Sequence, residues 1–95
     1  MKSIVTDYTE ICFFCDKPSE AEHHLLFGQG IRTLAEEDGI KVPICNKCHN
    51  MGMVIERIHD NPMGEKLSKM LGQAIWESHY GDREAFRKKY GKSYL

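Results

Sequence analysis

Two cysteine pairs, Cys12-Phe-Phe-Cys15 and Cys45-Asn-Lys-Cys48, limit what this chain can fold into more than any other feature. Each Cys-x-x-Cys knuckle sets two thiolates a few ångströms apart on a turn whose backbone amides can hydrogen-bond the sulfurs. Two such knuckles suit one tetrahedral zinc with Zn–S bonds of about 2.3 Å. The chain has 95 residues, enough for one domain, and a domain of this size buries only somewhat over ~60% of its unfolded surface. A metal is therefore expected to supply stability that a thin core cannot. Two redox dithiols, or four unrelated buried cysteines, are the competing readings. No N-terminal apolar run reads as a signal peptide or membrane span, so reduced thiols in a cytosolic setting are expected.

The formal net charge of -1 hides an asymmetry. Residues 1–60 hold 6 Lys/Arg against 10 Asp/Glu, whereas residues 61–95 hold 7 against 4. Four thiolates on one dication add a local charge of -2, so any polyanion this protein binds must meet localised cations. The densest candidate is "REAFRKKYGK", which carries Arg83, Arg87, Lys88, Lys89 and Lys92 around Phe86 and Tyr90. It reads equally as a solvated helix face or as a phosphate-facing patch.

Along the chain there is no repeat, low-complexity tract or linker. The opening "MKSIVTDYTEI" is β-branched and could add a short strand, and "CFFC" reads as a tight turn. Ala21 to Phe27 reads as a strand, "GQG" as a turn and "IRTLAEEDG" as a loop or short helix. In "GIKVPIC", Ile40, Val42 and Ile44 alternate as in a second strand, with Pro43 placing it at a sheet edge. "HNMGMVIERIH" is an apolar connection with room for a helical turn. A long helix follows, with Asn61 as N-cap, Pro62 at its first position and Glu65 in its first turn. Its stripe of Met63, Leu67, Met70, Leu71, Ala74 and Ile75 reads as core. Trp76 is expected in the core as well. Gly81 breaks the chain before a last helix over about 82–90, and His79 reads as a lone histidine at a helix end.

Twenty-nine residues separate Cys15 from Cys45, more than a plain zinc ribbon needs, and the double histidine His23-His24 sits between them. Hydrolysing a phosphodiester requires a base that deprotonates water near neutral pH and a cation that stabilises the phosphorane and the leaving 3′-oxygen. Imidazoles can serve both needs. On a regular strand His23 and His24 face opposite ways, so a bend or bulge is required for both to reach one centre. His49 and His59 are the further ligands on offer, with His59 better placed at a helix entrance.

Together "CFFC", "EHHLLFG", "VPICNKCHN" and "RIHDNP" resemble an HNH endonuclease of the His-Me finger (ββα-metal) class, and within it the small zinc-knuckle HNH proteins of bacteriophages and prophages. The resemblance runs from Cys12 into the C-terminal helices. It implies an α+β fold: a small ββα-metal domain over 12–60 with a four-cysteine zinc knuckle pair, followed by amphipathic helices over 61–95. It further implies that His23 and His59 ligate a catalytic divalent ion, that His24 is the general base, and that Cys12, Cys15, Cys45 and Cys48 hold structural zinc. His49 matches the histidine after the second knuckle, with a role in orienting the metal site or contacting phosphate. Arg57 reads as a phosphate clamp or as the partner of an acid such as Glu56. The family's middle asparagine is missing from "EEDGIKVPIC", which leaves Asp38 to fix the loop carrying the base, or Asn50 to take another part.

The function so implied is metal-dependent nicking or cutting of DNA, leaving a 5′-phosphate and a 3′-hydroxyl, by a phage-type enzyme inside a bacterial host cell. The catalytic ion is open among Mg, Mn, Ni and Zn. One site cuts one strand, so double-strand cleavage calls for a homodimer or two successive events, and other phage DNA-processing proteins are conceivable partners. The alternative is a non-catalytic zinc module that binds nucleic acid or a partner protein, with His23 and His24 as scaffold.

Overall fold

The computed structural model describes residues 2–95, and its organising unit is a two-stranded antiparallel hairpin. Strand β1 (Ala21–His24) pairs with β2 (Lys41–Ile44), setting His23 opposite Val42 and His24 opposite Lys41. With two strands both are edges, so Pro43 costs the ladder little. Between them lies α1 (Ile31–Asp38), which ends on Gly39 at φ 73°, a left-handed conformation that glycine adopts without strain.

β1 stops three residues short of the expected Phe27 because the chain bends at Leu25 and Leu26. Both leucines are fully buried. Regular alternation would have sent one of them outward; the bend turns both into the core.

Helix α2 (Pro62–His79) crosses over this bend. The Asn61 side chain caps it, accepting from the Gly64 amide at 3.2 Å, and Pro62 occupies its first turn. Its buried residues are Ser68, Gly72, Gln73 and Trp76. The expected stripe holds only in part: Leu71 and Ile75 pack against the core, whereas Met63 and Leu67 are 60% and 55% exposed, and Ala74 is exposed too. Two constraints choose the face. A Cβ at Gly72 would stand 2.8 Å from Leu26 Cγ, so the close approach to the hairpin needs glycine there. Ser68 and Gln73 are also required inside. Ser68 donates to the Leu25 carbonyl, while the Gln73 carbonyl oxygen accepts from the Tyr94 amide. Hydrophobic period alone does not register either demand.

Helix α3 (Arg83–Tyr90), capped by Asp82 and closed by Gly91 at φ 90°, folds back so that Phe86 and Tyr90 reach Trp76. These aromatics join Leu25, Leu26, Ala35, Ile40 and Val42 in the main core. A second cluster holds Cys12, Cys45, Ile44 and Ile58 around the knuckles. Among the described residues, the N-terminal segment forms no strand. The Ile4 amide donates to the Gly39 carbonyl, and an isolated bridge joins Ile11 to Pro18 around the first knuckle. No helix among the described residues is long and apolar enough to cross a membrane.

Asp38 belongs to this core. Its carboxylate accepts from Trp76 Nε1 (2.8 Å), Tyr90 Oη (2.8 Å) and Lys89 Nζ (2.7 Å). The expectation that Asp38 fixes the loop carrying the base is therefore corrected: it ties α1 to α2 and α3. Burial pushes its carboxyl upward, but the bonds from Lys89, Tyr90 and Trp76 outweigh that and hold it below the usual value. Its contribution to stability is thus present above the unfolded carboxylate pKa and is lost as pH falls through the lower folded one. Asp38→Ala, which strands a buried indole N–H and a phenol, is expected to cost about 3–5 kcal/mol in denaturant titration. A change under about 1 kcal/mol would contradict this account.

Candidate metal centres and the histidine cleft

The first centre is built by the two knuckles. Sγ atoms of Cys12, Cys15, Cys45 and Cys48 all lie within 4.8 Å of one another, and Cys15 and Cys45 approach to 3.5 Å. A tetrahedral zinc with bonds of about 2.3 Å has S···S edges of about 3.8 Å, so the donor set fits. The Phe14 amide points at Cys12 Sγ at 3.4 Å, the N–H···S contact expected of a knuckle turn. Burial, the largest influence on Cys12, raises its thiol, yet amides of Cys45, Phe14 and Cys15 outweigh it and bring the group to about 7. Cys48 is driven far upward, by burial first and then by the neighbouring sulfurs. Four thiols this close cannot all ionise unless a cation sits among them. The cluster is compatible with a structural ion such as zinc.

The second centre is a histidine cluster. His23, His49 and His59 each offer one ring nitrogen, all within 4.8 Å of one another. The fold builds it from three elements. His23 comes from β1. His49 lies on the wide helical turn Lys47–Met51, which the His49 amide joins to the knuckle by donating to the Cys45 carbonyl. His59 is brought alongside by two backbone bonds, from the Ile58 amide to Cys48 and from the His59 amide to His49. The second cysteine knuckle therefore positions two of the three imidazoles.

Arg57 locks this loop. Its Nε donates to the His59 carbonyl at 2.9 Å and its Nη1 to the carbonyls of Asn50 and Gly52. These donors serve the loop, as does an ion pair with Asp60 at 3.5 Å, so the geometry makes Arg57 a brace for His59 and gives no support to a phosphate clamp. Asn50 enters through its backbone carbonyl.

His49 Nε2 and His59 Nε2 stand 3.0 Å apart, close to the N···N edge of about 3.3 Å around a tetrahedral zinc with Zn–N of ~2.05 Å. The Ser68 hydroxyl gives its one hydrogen to the Leu25 carbonyl at 2.9 Å, so its oxygen accepts from His23 Nε2 at 2.8 Å. That chain leaves Nδ1 of His23 with the free lone pair, as outer hydrogen bonds commonly fix a ligand's tautomer. Burial, then the charges His59, His49 and His24 can carry, hold His23 down at about 3. His49 is lowered by burial and by His59, Arg32 and His24. Both imidazoles are held neutral, the state a metal needs.

His24 is outside this trio but lines the same cleft of about 160 Å³, together with Phe27 and Arg32. Arg32 Nε can only donate, so His24 Nδ1 accepts its bond at 3.3 Å and the ring hydrogen sits on Nε2. Nε2 gives that hydrogen to Glu36 Oε1 at 2.7 Å. The contact is thus a hydrogen bond donated by the imidazole. Lys41 first, and His24 second, hold the Glu36 carboxyl down at about 2. A permanent carboxylate thereby orients the imidazole and can stabilise it when it gains a proton.

The chain matches no family model, no curated protein and no solved structure. The geometry accordingly stands by itself. It brings His23, His24, His49 and His59 to one cleft and the four cysteines to one point. His49, the less favoured of the two further ligands on offer in the sequence, stands beside His59 among the three clustered nitrogens. Glu36 and Arg32, which that reading missed, flank His24. Asp38 and Glu36 are two residues apart on α1 and so point to different sides, one into the core and one toward His24. In the basic run, Arg83 pairs with Glu77 at 3.3 Å and Lys89 with Asp38, which leaves Arg87, Lys88 and Lys92 without acid partners among the described residues.

Proposed function

We propose that this protein is a metal-dependent endonuclease of the HNH, ββα-metal type that hydrolyses DNA phosphodiester bonds. The observation that carries the reading is the meeting, in one small cleft, of three histidines whose ring nitrogens cluster within 4.8 Å of one another and a fourth whose ring is oriented by a carboxylate on Nε2 and by Arg32 on Nδ1. His23, His49 and His59 would hold a divalent ion, which would supply charge stabilisation to a phosphoryl group and its leaving oxygen. His24 Nδ1 takes the proton of the attacking water, and Glu36 stabilises the resulting imidazolium through Nε2. Arg32, exposed at the cleft rim, is free to exchange its bond with His24 for one with a phosphate oxygen. The Cys cluster holds the loop that carries His49 and His59, so its ion is structural.

Titration of the zinc-loaded protein with Ni²⁺ or Mn²⁺ tests this reading without turnover. One additional, exchangeable ion is expected to bind, and His49→Ala or His59→Ala should weaken it by more than ~100-fold, beyond what the loss of an outer hydrogen bond commonly costs, while the cysteine-bound ion stays. Binding of no second ion, or binding indifferent to both substitutions, would favour a non-catalytic zinc module.

A further inference from the structure

Lys66, Lys69 and Lys92 line one open cleft of about 400 Å³ with Ser93, Tyr94 and Glu65. Among the described residues none of the three lysines forms an ion pair. Lys69 and Lys92 are held by aromatic faces instead. Lys69 Nζ lies 4.6 Å from the Phe27 ring centroid and 5.6 Å from that of Tyr94, over which Lys92 Nζ also sits at 5.3 Å. Cation–π contact fixes an ammonium while leaving its charge and its N–H donors largely available. Glu65, the acid in the cleft wall, accepts the Asp60 amide at 3.2 Å and stands 3.9 Å from His59 Nδ1, so its carboxylate is turned toward the histidine side.

Phe27 joins the two clefts. Its ring centroid is 4.9 Å from that of His59 and 5.5 Å from that of His23. Lys69 thus stands one ring away from the histidine cluster, within the Debye length of ~10 Å at 0.1 M salt. Three co-located, unneutralised ammonium groups repel one another, and a ligand with regularly spaced negative charge relieves that repulsion. We propose that Lys66, Lys69 and Lys92 form a phosphate track for the nucleic-acid strand flanking the histidine cleft. The inference rests on the nuclease reading for the position of the scissile phosphate. It moves the nucleic-acid contact from the outer face of α3 to the groove between α2 and the C-terminal residues.

The test is anisotropy of a short labelled DNA single strand across a salt series, with no exchangeable metal added. The triple variant Lys66→Gln/Lys69→Gln/Lys92→Gln is expected to lower the magnitude of the slope of log K against log salt by about 2, at roughly 0.7 per phosphate. Its affinity at ~50 mM salt should fall at least ~10-fold. Lys66→Gln/Lys92→Gln, which leaves Lys69 on Phe27, should show about two thirds of the slope change. The α3 control Arg83→Gln/Arg87→Gln/Lys88→Gln should bind as the wild type does, and circular dichroism should show all three variants folded. Wild-type protein that does not bind the strand, a triple variant with an unchanged slope, or an equal loss in the α3 control would each overturn the track. An unchanged slope in protein that still nicks plasmid removes the track and leaves the nuclease. A lysine-dependent slope in protein that never nicks does the reverse.

Discussion

His24→Ala is expected to lower phosphodiester hydrolysis by at least ~100-fold, the low end for loss of a general base, and to leave the protein folded. The side chain is 7% exposed, which would ordinarily mark it as structural. Its partners say otherwise. Glu36 and Arg32 are both exposed residues that can turn to water, so losing these two bonds costs about 1 kcal/mol each. His24 also lies outside the three-histidine cluster, so the second ion should bind the variant as it binds the wild type. A rate loss with metal binding retained separates a base from a ligand. Thermal melting and calorimetric titration beside the rate measurement check both halves, and a His24→Ala protein that fails to fold would make this histidine structural.

Cys45→Ser is expected to have the largest effect on folding. Cys45 is 3% exposed, sits in the second apolar cluster, and its carbonyl receives the His49 amide. Structural zinc contributes about 10–16 kcal/mol of apparent binding energy, as much as the whole net stability of a typical domain. Without the fourth thiolate the domain should lose its far-ultraviolet helical signal at room temperature, as should wild-type protein treated with a strong chelator. The histidine cluster should disappear with it, because His49 and His59 hang on backbone bonds to Cys45 and Cys48. Cooperative melting of Cys45→Ser within a few degrees of wild type would show that the knuckles do not carry the fold.

The parts of this structure written most plainly in the sequence are those governed by local chemistry. The knuckle spacing, the Asn61-Pro62 helix start, the alternation of Ile40, Val42 and Ile44 and the terminal helix over 83–90 all depend on residues near one another, and each forms. The face of α2 was not legible. Ser68, Gly72 and Gln73 are buried because of what Leu25, Leu26 and Tyr94 require of them, and those partners are at least 21 residues away in the chain. Similarly, "EEDG" offers three carboxylates in a row, and only the rotation of α1 decides that Glu36 meets His24 while Asp38 enters the core. The placement of His49 also needed the structure, because it follows from how the loop from 49 to 59 closes on itself.

Nicking of supercoiled plasmid tests the central proposal most directly. Wild-type and His24→Ala protein would be compared with Mg, Mn, Ni or no added metal, after chelation mild enough to spare the cysteine-bound zinc. Metal-dependent conversion of supercoiled to open-circular DNA is expected of the wild type, and its loss in the variant. Well-folded wild-type protein that leaves duplex, single-stranded and branched DNA intact with every metal would contradict it.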